Sequence, residues 1–95
     1  MFDQARQRLE LLTKYDKNNE RIYFNMAMIS MANKNYIDAE QLFRQTLHLK
    51  PNFASANFNL ALLLTENERP FEALPYLQRL LQQNPKHFKG LHFIF

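Results

Sequence analysis

The sequence predicts an all-α fold, a right-handed α-solenoid of antiparallel helix pairs. Three observations carry that expectation. Apolar residues recur at helical spacing through most of the chain, as in "YFNMAMISMANKNYIDAEQLF" at 23–43. Gly and Pro are scarce, one and four in 95 residues, so few places interrupt a helix. The chain also repeats itself. Sliding it by 34 residues superposes Phe24 on Phe58, Asn25 on Asn59, Ala27 on Ala61, Asn33 on Asn67, Ala39 on Ala73, Leu47 on Leu81 and Pro51 on Pro85. A period of that length marks a supersecondary unit that buries its apolar face only by stacking on copies of itself.

About four full helices follow, with a partial helix at each end. Residues 1–19 read as an incomplete repeat holding a lone helix B. At the same offset Ala5 falls on Ala39, Gln7 on Gln41, Leu9 on Phe43 and Asn18 on Asn52, and no helix A precedes them. The first full repeat is 20–53 and the second 54–87. In each, a small residue in helix A (Ala27, Ala61) and another in helix B (Ala39, Ala73) lets the helix backbones approach closely. "KPNF" at 50–53 and "NPKHF" at 84–88 end the helices B, because proline cannot continue the hydrogen-bond ladder. Residues 88–95, "FKGLHFIF", open a third helix A with Leu91 at its large position and Phe95 where an alanine stands in the repeats. The expectation is a piece of a longer array, with apolar surface exposed at both ends.

Three positions strain the pattern. Asn57 and Ser30 stand where large side chains are expected, with Phe53 and Phe58 expected to fill part of the missing volume. Pro75 lies inside "FEALPYLQRLL" and fits only if helix B starts near Phe71, since only first-turn N–H groups lack partners.

Composition excludes several function classes. The charge of +3 comes from Arg6, Arg8, Arg21, Arg44, Arg69, Arg79 and the lysines scattered among nine acidic residues, not from a basic stripe, so nucleic acid is not expected as a partner. The longest apolar run, "LALLL" at 60–64, is far below the roughly 18 residues of a membrane helix, and "MFDQARQRLELL" has no signal-peptide core. With no Cys there is neither a disulfide framework nor a Cys-based zinc site. His48, His87 and His92 have no partner at metal-ligand spacing, so no metal is expected, and no cofactor. The chain carries no Gly-rich phosphate loop and no nucleophile elbow. Glu66 and Glu68 read as a solvated turn after "LLLT", not as an acid–base pair, and no catalytic residue is assigned.

The 34-residue period, the early small residue, the second alanine, the aromatic four positions on (Phe43) and the closing proline resemble the tetratricopeptide repeat. Helix pairs of this kind present a concave surface lined by their helices A, and that surface normally binds protein. Arg21, Phe24, Asn25 and Met28 in the first repeat, repeated as Ser55, Phe58, Asn59 and Leu62 in the second, are the expected peptide-binding groove. The competing reading makes Phe24, Met28, Phe58 and Leu62 core. Asn25 and Asn59 stand out, because a carboxamide buried without partners is costly and offers the donors and acceptor that a peptide backbone needs. They either grip an extended polypeptide or bond to an adjacent helix.

A narrower resemblance runs over residues 20–91. "YFNMAM", "AEQLFRQTLHLKPNFASANFNLALLL" and "ALPYLQRLLQQNPKHFKGL" are similar to the repeat region of the transmembrane and tetratricopeptide-repeat O-mannosyltransferases that target cadherins. "NFNLALLL" followed by "ALPYLQRLL" is the most specific part. The resemblance implies a parent in the endoplasmic reticulum whose membrane helices transfer mannose from a lipid-linked donor while its repeats face the lumen. None of the catalytic membrane loops lies within these residues. Two alternatives are a cytosolic scaffold unrelated to glycosylation, and self-assembly through open helical ends.

Overall fold

The computed structural model describes residues 2–83. Among them are five α-helices and no strand: α1 (Phe2–Tyr15), α2 (Glu20–Ala32), α3 (Tyr36–Leu49), α4 (Ala54–Glu66) and α5 (Pro70–Gln83). The all-α expectation holds, and α1, expected as a partial helix, is as long as α3. The turn at Pro85 and the helix expected from residue 88 lie outside the described residues. The chain divides into two units at Pro51–Asn52, the first holding α1, α2 and α3 and the second α4 and α5.

In the first unit, α2 packs on α3 and on α1. Helix α2 buries Ile22, Met26, Ala27 and Ser30, and α3 buries Ala39, Phe43, Thr46 and Leu47. Ala27 and Ala39 expose no surface at all, as expected of residues that set a close helix spacing. The Phe24 ring lies 6.0 Å from the fully buried Phe43 ring, tilted by 54°. Burial of a phenylalanine of this kind contributes about 1.5–3 kcal/mol. Thr46 satisfies its buried hydroxyl by donating to Leu42 O at 2.7 Å. The equally buried Ser30 Oγ has no hydrogen-bond partner among the described residues. Arg6 bridges α1 to α3 through Asp38 at 3.4 Å and also meets Glu10 at 3.2 Å. Its partners are half exposed, so water and salt weaken both pairs.

In the second unit, α4 packs on α5; the first helix buries Ala56, Leu60, Ala61, Leu63 and Leu64, and the second Ala73, Leu77 and Leu80. Gln83 Nε2 donates to Asn52 O at 2.5 Å, tying the end of α5 to the residues that lead into α4. Asn57 is fully buried, and its Nδ2 donates to Phe53 O at 3.2 Å, so the amide fastens its own helix instead of leaving a vacancy for an aromatic. Phe58 does not fill that volume: it is 41% exposed, because the residue next along a helix points about 100° away.

Pro75 is the sixth residue of α5, beyond the first turn in which a missing N–H is harmless. The carbonyl left without its i+4 partner belongs to Phe71. That residue is 84% exposed, and Pro75 is itself exposed, so the gap opens onto solvent. Glu66, expected in a turn, is the last residue of α4.

Both helices A end in the same motif. Asn35 N donates to Ser30 O at 2.8 Å and Lys34 N to Met31 O at 3.0 Å. In the second unit Arg69 N donates to Leu64 O at 2.8 Å and Glu68 N to Thr65 O at 3.2 Å. These are paired Schellman bonds, which satisfy two orphan carbonyls at each helix end. They place Lys34 and Glu68 in the left-handed region, φ 63° and 62°.

Candidate binding face of the helices A

Helix α2 starts cleanly because Asn19 caps it: its Oδ1 accepts from Arg21 N at 3.0 Å, while its Nδ2 donates to Asp16 Oδ2 at 3.1 Å. With the start set, the 100° step per residue puts Ile22, Met26, Ala27 and Ser30 on the core arc and Arg21, Asn25 and Met28 opposite them. Arg21 and Asn25 are exposed, and Met28 is 40% exposed. Phe24 sits at the boundary, half-buried on Phe43.

Helix α4 repeats this arrangement on its own unit. Ser55 is exposed, Phe58 and Leu62 are 41% and 42% exposed, and Asn59 is half-buried. Met28, Phe58 and Leu62 are thus outside the core, and of the four apolar residues Phe24 alone is shared with it.

The two asparagines differ from the sequence expectation in one respect. Asn25 lies on the polar arc of α2, not within apolar surface, so it carries no burial penalty. Its side chain makes no hydrogen bond among the described residues. Asn59 Nδ2 donates to Ser55 O of its own helix at 2.7 Å, and so fastens to the preceding turn and not to an adjacent helix.

Two features escaped the sequence. Arg6, Tyr23, Asp38, Gln41, Leu42 and Gln45 line a shallow polar cleft in the first unit. It draws on three helices, which no single window of sequence contains. Ile37 and Phe71, 34 residues apart, are 77% and 84% exposed at the second position of α3 and α5. The repeat alignment holds a signal for that pair, since both residues are large and apolar at one register. Among the described residues no group of three or more His, Asp or Glu side chains is placed to hold a metal ion. No described helix is long and apolar enough to cross a membrane. His48 is exposed on α3, and His87 and His92 lie outside the described residues.

Helix pairs with a small residue at each crossing, and no strand among the described residues, define a protein-interaction repeat of the helical-solenoid class. The tetratricopeptide repeat family model matches residues 30–92, and the chain belongs to that family. It is similar to Protein O-mannosyl-transferase Tmtc3 of Drosophila melanogaster, with 45% identity over 87 residues that make up 92% of this chain and 9% of that protein. It is also similar to Protein O-mannosyl-transferase TMTC3 of Homo sapiens, 38% identical over 88 residues, 93% of this chain and 10% of that protein. The chain therefore spans about a tenth of the length of these relatives, and what it shares with them is a repeat region. Among solved structures it matches the MamA RS-1 ArsTM double mutant with a TM-score of 0.83 at 24% identity, over 90% of this chain and 48% of that one, a likeness of fold.

Proposed function

We propose that the exposed faces of α2 and α4 bind an extended polypeptide, with Asn25 and Asn59 meeting its backbone and Arg21, Phe24, Met28, Ser55, Phe58 and Leu62 meeting its side chains. The observation that carries this reading is a recurrence in register. Met28 and Leu62 occupy one repeat position and are 40% and 42% exposed, with a carboxamide three residues before each. A single exposed apolar side chain is ordinary, whereas the same pairing of apolar patch and amide on two successive helices A suits a ligand that is itself periodic. An extended chain presents one donor and one acceptor per residue, and a carboxamide complements both.

In the same reading the repeats run 20–53 and 54–87, with 1–19 and 88–95 belonging to flanking repeats. The parent is a protein O-mannosyltransferase of the endoplasmic reticulum, in which this lumenal region holds a polypeptide acceptor. The 45% identity to Drosophila Tmtc3 favours that parent over an unrelated cytosolic scaffold.

The test replaces Asn25 and Asn59 together with Ala and measures melting alongside affinity for short unstructured peptides of varied sequence. Affinity should fall by about 1 kcal/mol, roughly fivefold, for each lost backbone bond, with melting little changed. A lowered melting temperature at unchanged affinity would leave the two amides as internal fasteners and remove the reading.

A further inference from the structure

The polar cleft of the first unit is built from three helices. Arg6 of α1, Tyr23 of α2 and Asp38, Gln41, Leu42 and Gln45 of α3 line a space of about 340 Å³ that opens to solvent. Asp38, Gln41 and Gln45, at i, i+3 and i+7, share one side of α3 over about 10 Å of its length. Arg6 reaches across from α1 and donates to Asp38 Oδ2 at 3.4 Å, so the two charges cancel. The carboxamides of Gln41 and Gln45 and the Tyr23 phenol make no hydrogen bond among the described residues. Nothing in the repeat requires this set. By the 34-residue register Tyr23 corresponds to Asn57, Gln41 to Pro75 and Gln45 to Arg79, and the second unit packs its helix pair without it.

We infer that this cleft binds a neutral, polyhydroxylated ligand, a single sugar ring. Its volume lies at the small end of the range for small-molecule sites. An extended polypeptide, rising about 3.3 Å per residue, would find room there for roughly three residues only. The lining decides the chemistry. Five polar side chains and one leucine suit no apolar ligand, and Arg6, held by Asp38 and by Glu10 at 3.2 Å, offers no uncompensated charge to a phosphate or carboxylate. A hydroxyl is donor and acceptor at once, so a row of them engages the two carboxamides and the phenol in both directions and donates to Asp38 Oδ1, which the ion pair leaves open. The half-buried Tyr23 ring and Leu42 give the C–H groups of the ring an apolar surface. Tyr23 is turned about 160° around α2 from Asn25, so the cleft is separate from the peptide-binding face proposed above and stands independently of it.

Titration of the isotope-labelled 95-residue chain with the methyl glycosides of glucose, mannose and galactose, followed by amide NMR, tests the assignment. At least one glycoside should shift the side-chain amide signals of Gln41 and Gln45 and saturate in the millimolar range. Gln41→Ala combined with Gln45→Ala should weaken that binding roughly fivefold or more and leave melting unchanged, since both residues are exposed and alanine suits a helix. Silence from all three glycosides would overturn the proposal, as would undiminished binding by the double variant. Tighter binding of inorganic phosphate at the same signals would make the cleft an anion site, and tighter binding of an acetylated, amidated triglycine would give it to a peptide. Either result refutes the sugar assignment.

Discussion

Lys34 and Glu68 stand 34 residues apart, one basic and one acidic, yet both hold the left-handed conformation at the end of a helix A. Their side chains have nothing in common that would select it. The backbone does: each sits just past a C-cap asparagine, Asn33 or Asn67, at the position where a Schellman turn needs positive φ. A residue with a Cβ strains there by about 1 kcal/mol. Lys34→Gly and Glu68→Gly should therefore each stabilise the protein, by about 0.5–1 kcal/mol, and thermal melts of the single and double variants would show it. A loss of stability in either would mean that the lysine or glutamate side chain contributes more than the turn costs.

Pro75 offers a second stabilising change. Alanine there restores an N–H for the Phe71 carbonyl and relieves the ring's clash with that carbonyl, while losing the proline's restriction of the unfolded chain. The net should be a gain of about 1–3 kcal/mol, read as a rise in the denaturant midpoint with an unchanged slope. An unchanged midpoint would show that water already replaces the missing bond in full.

The alanines behave oppositely. Ala27 and Ala61 are buried to within 1% of complete, and leucine would bring three more heavy atoms into each site. Ala27→Leu or Ala61→Leu should overpack the helix pair and destabilise by about 1–3 kcal/mol. Parent-like melting of both variants would refute the close helix crossing assigned to these residues.

Ser30 buries a hydroxyl that has no partner among the described residues, where the second repeat places Leu64. Ser30→Ala removes that unsatisfied group at almost constant volume and should raise stability by about 1 kcal/mol. A fall in the melting temperature would point to a water molecule or a further group that satisfies the hydroxyl.

How much of the candidate face could be read from the sequence depends on the residue. Arg21 and Ser55 follow from helical spacing, because the arc opposite the apolar one faces solvent in any helix packed on one side. Met28 and Leu62, open between face and core in the sequence, and Asn25, read there as set in apolar surface, are placed at the surface only by the structure. Phe24 and Phe58 occupy one register and are placed differently, the first half-buried on Phe43 and the second 41% exposed. Periodicity assigns them the same angle, and the difference comes from the partner helix, which offers Phe43 in the first repeat and the smaller Leu77 at that register in the second.

The sequence by itself determined the all-α class, the 34-residue unit, the alanines at the helix crossings and the first inter-repeat turn. Each depends on local propensity or on spacing along one chain, and these survive without knowledge of neighbours. Only the tertiary structure decided where the polar residues find their partners. Asn57, read as a gap in the packing, fastens to Phe53 O, Asn59 fastens to Ser55 O, and Arg6 reaches Asp38 across 32 residues. The left-handed turns at Lys34 and Glu68 belong with these, since no glycine marks them in the sequence. A carboxamide or a guanidinium can be satisfied in several directions at nearly equal free energy, so its choice is made by whichever backbone or side chain the fold brings within about 3 Å.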